Sequence, residues 1–190
     1  MRTWLTERLG IELPIVAAPM ARISGGRLAG AVSAAGGLGM IGVSPGATAA
    51  WVSEQSDVAR TEAAGRPFGI GLLAWALEED PQPMTAVLES GAALVALSFG
   101  TYTSFVAPLH EAGMLVATQA GTLAEARAAV QAGVDEANAK LARVEGIKKF
   151  VIVEGDWAPG GDEITPTMKL KRKPIAGKYA AQIEEMYAAS

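Results

Sequence analysis

Cysteine is absent from the 190 residues, which excludes disulfides, thiolate nucleophiles and Cys-ligated zinc. His110 is the only histidine, so paired-histidine metal ligation is excluded and Ser-His-Asp chemistry has little to work with; no metal site is expected. Long apolar runs are missing too: none approaches the roughly 18–20 residues of a spanning helix, so no membrane partner is expected. Arg2, Glu7 and Arg8 stand where a signal peptide would be apolar, which points to a cytoplasmic protein. A net charge of −4, from 16 basic and 20 acidic residues, gives no reason to expect nucleic acid. What is present is apolar. Half of the chain falls in that class, enough for one sizeable core and a globular fold.

Composition changes near residue 135. Residues 1–135 hold seven basic side chains, all arginine, whereas residues 136–190 hold nine, seven of them lysine, the first being Lys140. Glycine runs the other way, with 17 of 22 before residue 136. Two segments are expected, 1–135 and 136–190, the alternative being one domain with a charged C-terminal helix.

Short continuous apolar runs recur in the first segment at Pro14–Ala18, Leu38–Gly42, Phe68–Ala74, Ala93–Ser98 and Met114–Thr118. Continuous rather than alternating runs fit parallel strands covered on both faces. Helical patterns lie between and after them, at Gly26–Ala35, Ala47–Ala64, Pro83–Ser90, Ser104–Ala112 and Thr122–Gln131, several ending in glycine beside the next strand. The fold class is α/β, either a β/α barrel or an open doubly wound sheet, and periodicity leaves both open. Gly37–Gly42 satisfies G-x-G-x-x-G, yet it follows a helix and is itself strand-like. That inverts the context a dinucleotide fingerprint needs and favours glycines that permit tight turning and close backbone approach.

The runs LGIELPIVAAPMARIS, LAGAVSAAGGLGMIG and FGIGLLAWAL, continued by ALVALSFGTYTSFVAPLHEAGMLVATQAGTLAEARAAVQAGVD, resemble the nitronate monooxygenase (2-nitropropane dioxygenase) family. The resemblance covers about five βα units to Asp135 and implies a partial (β/α) TIM barrel that binds FMN. Family members oxidise alkyl nitronates, and close relatives reduce enoyl thioesters. Ala18, Pro19 and Met20 match the segment beside the flavin ring. Gly71 stands where many members place an asparagine on the cofactor, and Ser98 and Gln119 end strands four and five, where barrels carry their site groups. These six residues are the expected cofactor contacts, with a small molecule as substrate. The family's Ala-Gly-Gly-His segment and phosphate-binding strands have no counterpart in this sequence, so catalytic residues are not assigned and impaired turnover is expected. His110, within a helical pattern, is expected to face solvent.

From Val134 the sequence reads VDEANAKLARVEGIKKFVIVEGDWAPGGDEITPTMKLKRKPIAGKYAAQIEEMY. Its pattern predicts a helix to Val144, a strand over Lys149–Glu154, a turn at Gly155–Gly161, a second short strand through Ile164-Thr165 and Met168–Leu170, and a last helix from Pro174 to Ala188. This block resembles the C-terminal end of AMP-forming long-chain acyl-CoA synthetases, in which the lysine matching Lys169 contacts carboxylate and phosphate. The alternative functional readings are therefore a fatty acyl-CoA ligase fragment, with Lys169 as its catalytic residue, and a non-catalytic fusion product. The abutting segments predict a bent or broken helix at Gly133 and pairing of Phe150–Val153 with Leu115–Ala117. Open barrel edges predict a homo-oligomer.

Overall fold

The computed structural model describes residues 2–153, 155, 157–167 and 169–188. The chain forms two compact units, residues 1–122 and 123–190. In the first, elements follow as α1 (Trp4–Leu9), α2 (Gly26–Ala34), β1 (Gly39–Gly42), α3 (Ala49–Glu62), β2 (Phe68–Leu73), α4 (Ala74–Glu79), α5 (Pro83–Glu89), β3 (Leu94–Ser98), α6 (Thr103–Glu111) and β4 (Leu115–Thr118). Local chemistry sets the ends. Thr3 caps α1 in a reciprocal capping box, and Gly10 ends it at φ 69°. The Thr48 hydroxyl accepts from the Trp51 amide to start α3, and Pro83 opens α5.

The four strands are all parallel and lie side by side in chain order, β1-β2-β3-β4. Alternation sends Ile41, Ile70, Leu72, Val95 and Leu97 to one face, where they join Val52, Ala59, Val87 and Leu109 of the helices in the main core. The other face carries Met40, Leu94, Ala96 and Leu115, closed at one end by Leu9 and Ile11. Crossover helices on one face, with no reversal of strand order, are the layout of a β/α barrel rather than of a doubly wound sheet. The choice left open by periodicity is thereby settled: the first unit is a partial barrel. Its helices pack closely where glycine allows it. A Cβ on Gly26 would lie 2.2 Å from the Gln55 carbonyl oxygen, and one on Gly30 would lie 2.4 Å from Glu62 Cβ.

Several expectations are corrected. Pro14–Ala18 forms a single parallel bridge, Val16 with Leu38, instead of a strand; Pro14 has no N–H to give to a ladder. The run ending at Ala74 gives up that residue to α4, a helix the strand pattern hid. His110 lies half-buried in α6 rather than fully facing solvent.

The second unit has α7 (Leu123–Ala139), α8 (Arg172–Lys178) and α9 (Ala180–Ala188). Gly133 sits inside α7 without breaking it, and the helix stops short of Leu141 and Val144. The expected final helix divides at Tyr179. Residues 149–153 form no strand, so the ladder expected for Phe150–Val153 is not made. The side chain of Asn138 binds both backbone groups of Ile147, at 2.9 and 2.7 Å, and turns the chain there into a local clasp. The expected second strand is reduced to bridges of Ile164 with Pro159 and with Leu170; Glu154 and Met168, which fell within the two expected strands, lie outside the described residues.

Among the described residues of this unit, the only buried side chain is Glu163. Polar clasps therefore take the place of an apolar core. Lys178 pairs with the Glu163 carboxylate, and the Lys171 ammonium donates to the Gly161 carbonyl at 2.8 Å. Trp157 Nε1 donates to the Tyr179 hydroxyl at 2.9 Å. The hydrogen bond from Lys178 holds Glu163 below its ordinary pKa of 4.5 against the opposing effect of burial, and the same bond raises Lys178 above 10.5. A depressed carboxylate stabilises above its unfolded pKa and loses that contribution as pH falls through the folded one; a raised ammonium stabilises below its unfolded pKa and loses its contribution as pH climbs through the folded one. Trp157 fluorescence is thus expected to hold steady between about pH 5 and pH 10 and to change below that window. Glu163→Gln should abolish the acid transition, and an unchanged acid limb in that variant would disprove the assignment.

Candidate functional site

The C-terminal ends of parallel strands are where a βα sheet presents backbone and loops to a ligand. Here that edge is crossed by a strap, Ala18-Pro19-Met20. The strap is exposed, with Met20 at 48%, and it lies directly on two paired glycines, Gly42 and Gly71. A Cβ on Gly71 would fall 2.3 Å from Pro19 Cβ, and one on Gly42 would fall 2.4 Å from the Met20 carbonyl carbon. Glycine is required at both positions because the strap occupies the space of a side chain.

Ser24 fixes the strap. It is 2% exposed; its hydroxyl donates to the Ala18 carbonyl at 3.1 Å and accepts from the Met20 amide at 3.3 Å. Its backbone completes the clamp, the amide donating to the Met20 carbonyl at 2.8 Å and the carbonyl accepting from the Gly42 amide at 2.7 Å. Ser24 was not among the residues singled out from sequence, where it reads as a polar residue before a helix start. The signal was its place four residues after Met20, the reach of a single turn.

Of the six residues expected at a cofactor, the structure brings Ala18, Pro19, Met20 and Gly71 together. Ser98 ends β3 half-buried, and Gln119 is exposed just beyond β4. Phe99, next to Ser98, adopts φ 60° and is 61% exposed, and its carbonyl accepts from the Trp75 amide at 3.0 Å. Two aromatic side chains therefore stand exposed just beyond β2 and β3, Trp75 in the first turn of α4 and Phe99 in the loop after β3. Lys169, in the second unit, is exposed, with its amide donating to the Thr165 hydroxyl at 3.0 Å.

Directly after the strap, the chain lines a cavity of about 580 Å³ with the β1–α3 loop. Arg22, Ser44, Thr48 and Trp51 supply its polar and aromatic groups. No group of three or more metal-ligating side chains occurs among the described residues, and no helix among them is long and apolar enough to cross a membrane.

A nitronate monooxygenase family model matches residues 2–86. FabK from Thermotoga maritima superposes with a TM-score of 0.62 at 30% identity, covering 70% of this chain and 42% of that one. The nitroalkane oxidase of Streptomyces ansochromogenes gives a TM-score of 0.57 at 30% identity, with 69% and 46% coverage. Over 64 residues, 34% of this chain, the sequence is 64% identical to the putative fatty-acid–CoA ligase fadD11 of Mycobacterium tuberculosis, of which it spans 11%. The chain thus spans a small fraction of that ligase and less than half of either solved relative. Both resemblances read from the residues stand: one part of this chain is similar to nitronate monooxygenases, and another to long-chain fatty-acid–CoA ligases.

Proposed function

We propose that residues 1–122 form the flavin-facing half of a nitronate monooxygenase-like oxidoreductase, with FMN against the Ala18–Met20 strap and a small molecule as substrate. The observation that carries this reading is the strap itself. Flat, largely apolar rings need an exposed shelf and backbone that can come close; Met20 supplies the first, and the exposed backbone of the strap, seated on Gly42 and Gly71, supplies the second. When bound, FMN would supply the redox chemistry. The chain's own part is to hold and orient: Ser24 locks the strap, Gly71 leaves the room that Pro19 fills, and Ser98 and Gln119 offer polar groups at the ends of β3 and β4.

FMN titration with a visible spectrum tests this. Saturable binding is expected, with the flavin bands perturbed and turnover of alkyl nitronates well below that of a complete barrel; protein that stays colourless after FMN addition and desalting removes the reading. The ligase likeness supports a second reading, in which Lys169 acts on a nucleotide-bound carboxylate. Its exposed position makes Lys169→Ala a clean control for any nucleotide effect, and that control is used below.

A further inference from the structure

The cavity beyond the strap is not explained by a flavin shelf. It is lined by Arg22, Ile23, Ser24 and Gly25 on one side and by the loop from Gly42 through Thr48 to Trp51 on the other. Four features give it a chemical character. Its volume, about 580 Å³, falls in the range of small-molecule sites. Arg22, a lining residue, is exposed and forms no hydrogen bond or ion pair with any described residue, so its guanidinium keeps its donors free for a ligand. Thr48 accepts the Trp51 amide through its hydroxyl oxygen, leaving the hydroxyl hydrogen to donate, and Ser44, half-buried, adds a second hydroxyl. Trp51 is half-buried against the core and lines the cavity, which gives a fixed aromatic surface beside an unpaired cation.

A free guanidinium and two hydroxyls suit a phosphate, and an aromatic wall suits a planar base. We infer that this cavity binds a nucleoside phosphate, with the base against Trp51 and the phosphate on Arg22, Ser44 and Thr48. The inference rests on the flavin reading only for what such a ligand would do there, since the binding itself needs no flavin. A free nucleotide, a dinucleotide and coenzyme A all carry this chemistry, and the phosphate position separates them.

The test is calorimetry on the full chain without added flavin. Probes are AMP, ADP, adenosine 2′,5′-bisphosphate, adenosine 3′,5′-bisphosphate, adenosine and inorganic phosphate. AMP is expected to bind saturably and at least about tenfold more tightly than adenosine or phosphate alone, because each lacks one of the two anchors. Preference for the 2′,5′ compound would indicate a phosphorylated dinucleotide, preference for the 3′,5′ compound coenzyme A, and preference for AMP or ADP a free nucleotide. Arg22→Ala should weaken AMP roughly tenfold or more; Arg27→Ala, which removes the same charge outside the cavity, and Lys169→Ala should not. Trp51→Leu should weaken AMP but leave phosphate binding unchanged, and the exposed Arg22 variant keeps the test open should that core-facing change impair folding. The inference is overturned by absence of saturable AMP binding, by equal affinity in Arg22→Ala, by dependence on Lys169, or by displacement of AMP with FMN. Failure of FMN to bind while AMP binds would sink the flavin reading and leave this one standing.

Discussion

Gly39→Ala is expected to destabilise the first unit by about 3 kcal/mol or more, the largest loss expected from adding a single methyl group to this chain. The added Cβ would lie 1.7 Å from the Ala29 carbonyl oxygen and 2.4 Å from its carbonyl carbon. Both are backbone atoms in the middle of α2, so no rotamer change relieves the overlap. Relief requires moving α2 off the sheet, which would also strain the buried bond from the Gly39 amide to the Ser33 hydroxyl, 3.0 Å long, and open the contact that Gly26 and Gly30 make with α3. Gly133→Ala is the matched control. It sits inside α7 with nothing within 4 Å of the added atom, and there replacing glycine by alanine should stabilise the helix by up to about 1 kcal/mol. Chemical denaturation of both variants decides the matter: a Gly39→Ala midpoint equal to that of the parent chain would show that α2 does not rest on β1 as described.

The strands of the first unit could be read because a parallel sheet buried on both faces leaves continuous apolar runs, and β2 to β4 fall inside the predicted ones. Barrel topology could not be read from those runs; strand order is a property of pairing, which periodicity does not encode, and only the family resemblance pointed to it. The strap was legible as Ala18-Pro19-Met20 for the same reason, while its support was not. Gly71 looks from sequence like a lost polar contact, yet the structure shows it as the space into which Pro19 fits. Ser24 and Arg22 carry no local pattern, since their partners are carbonyls and open volume rather than neighbours in a helix or strand.

Reading failed most in the second unit, and the cause is physical. Alternating and helical patterns predict elements because apolar faces must be buried, but here no apolar side chain among the described residues is buried. Asn138 on Ile147, Lys149 on the Met186 carbonyl at 2.6 Å and Lys178 on Glu163 decide the path instead. Such polar clasps leave only scattered single residues in the sequence. The lysine-rich composition after residue 139, which first suggested a second segment, is the visible trace of this different way of holding a chain together. The compact unit itself begins earlier, at the start of α7, because a helix continues across the shift.

Ile70→Ala should separate the two units experimentally. Ile70 is fully buried at the centre of β2, between Ile41 and Val95 in the ladder, and belongs to the core that joins the sheet to its helices. Neighbours on both sides are backbone-fixed strands, so the site cannot collapse around the smaller side chain. The loss is expected to be about 2–5 kcal/mol, a large share of the roughly 5–15 kcal/mol available to a domain. A unit in which no apolar side chain among the described residues is buried should open on its own, at far lower free energy than the barrel core. Hydrogen exchange on the parent chain is therefore expected to show slow amides in β1 to β3 and fast ones across 140–188. In Ile70→Ala the slow set should accelerate by a factor set by that energy, while the fast set stays where it was. Equal acceleration in both would mean that the second unit draws its stability from the barrel core, and the polar clasps around Glu163 would then be ornament to a fold maintained from elsewhere.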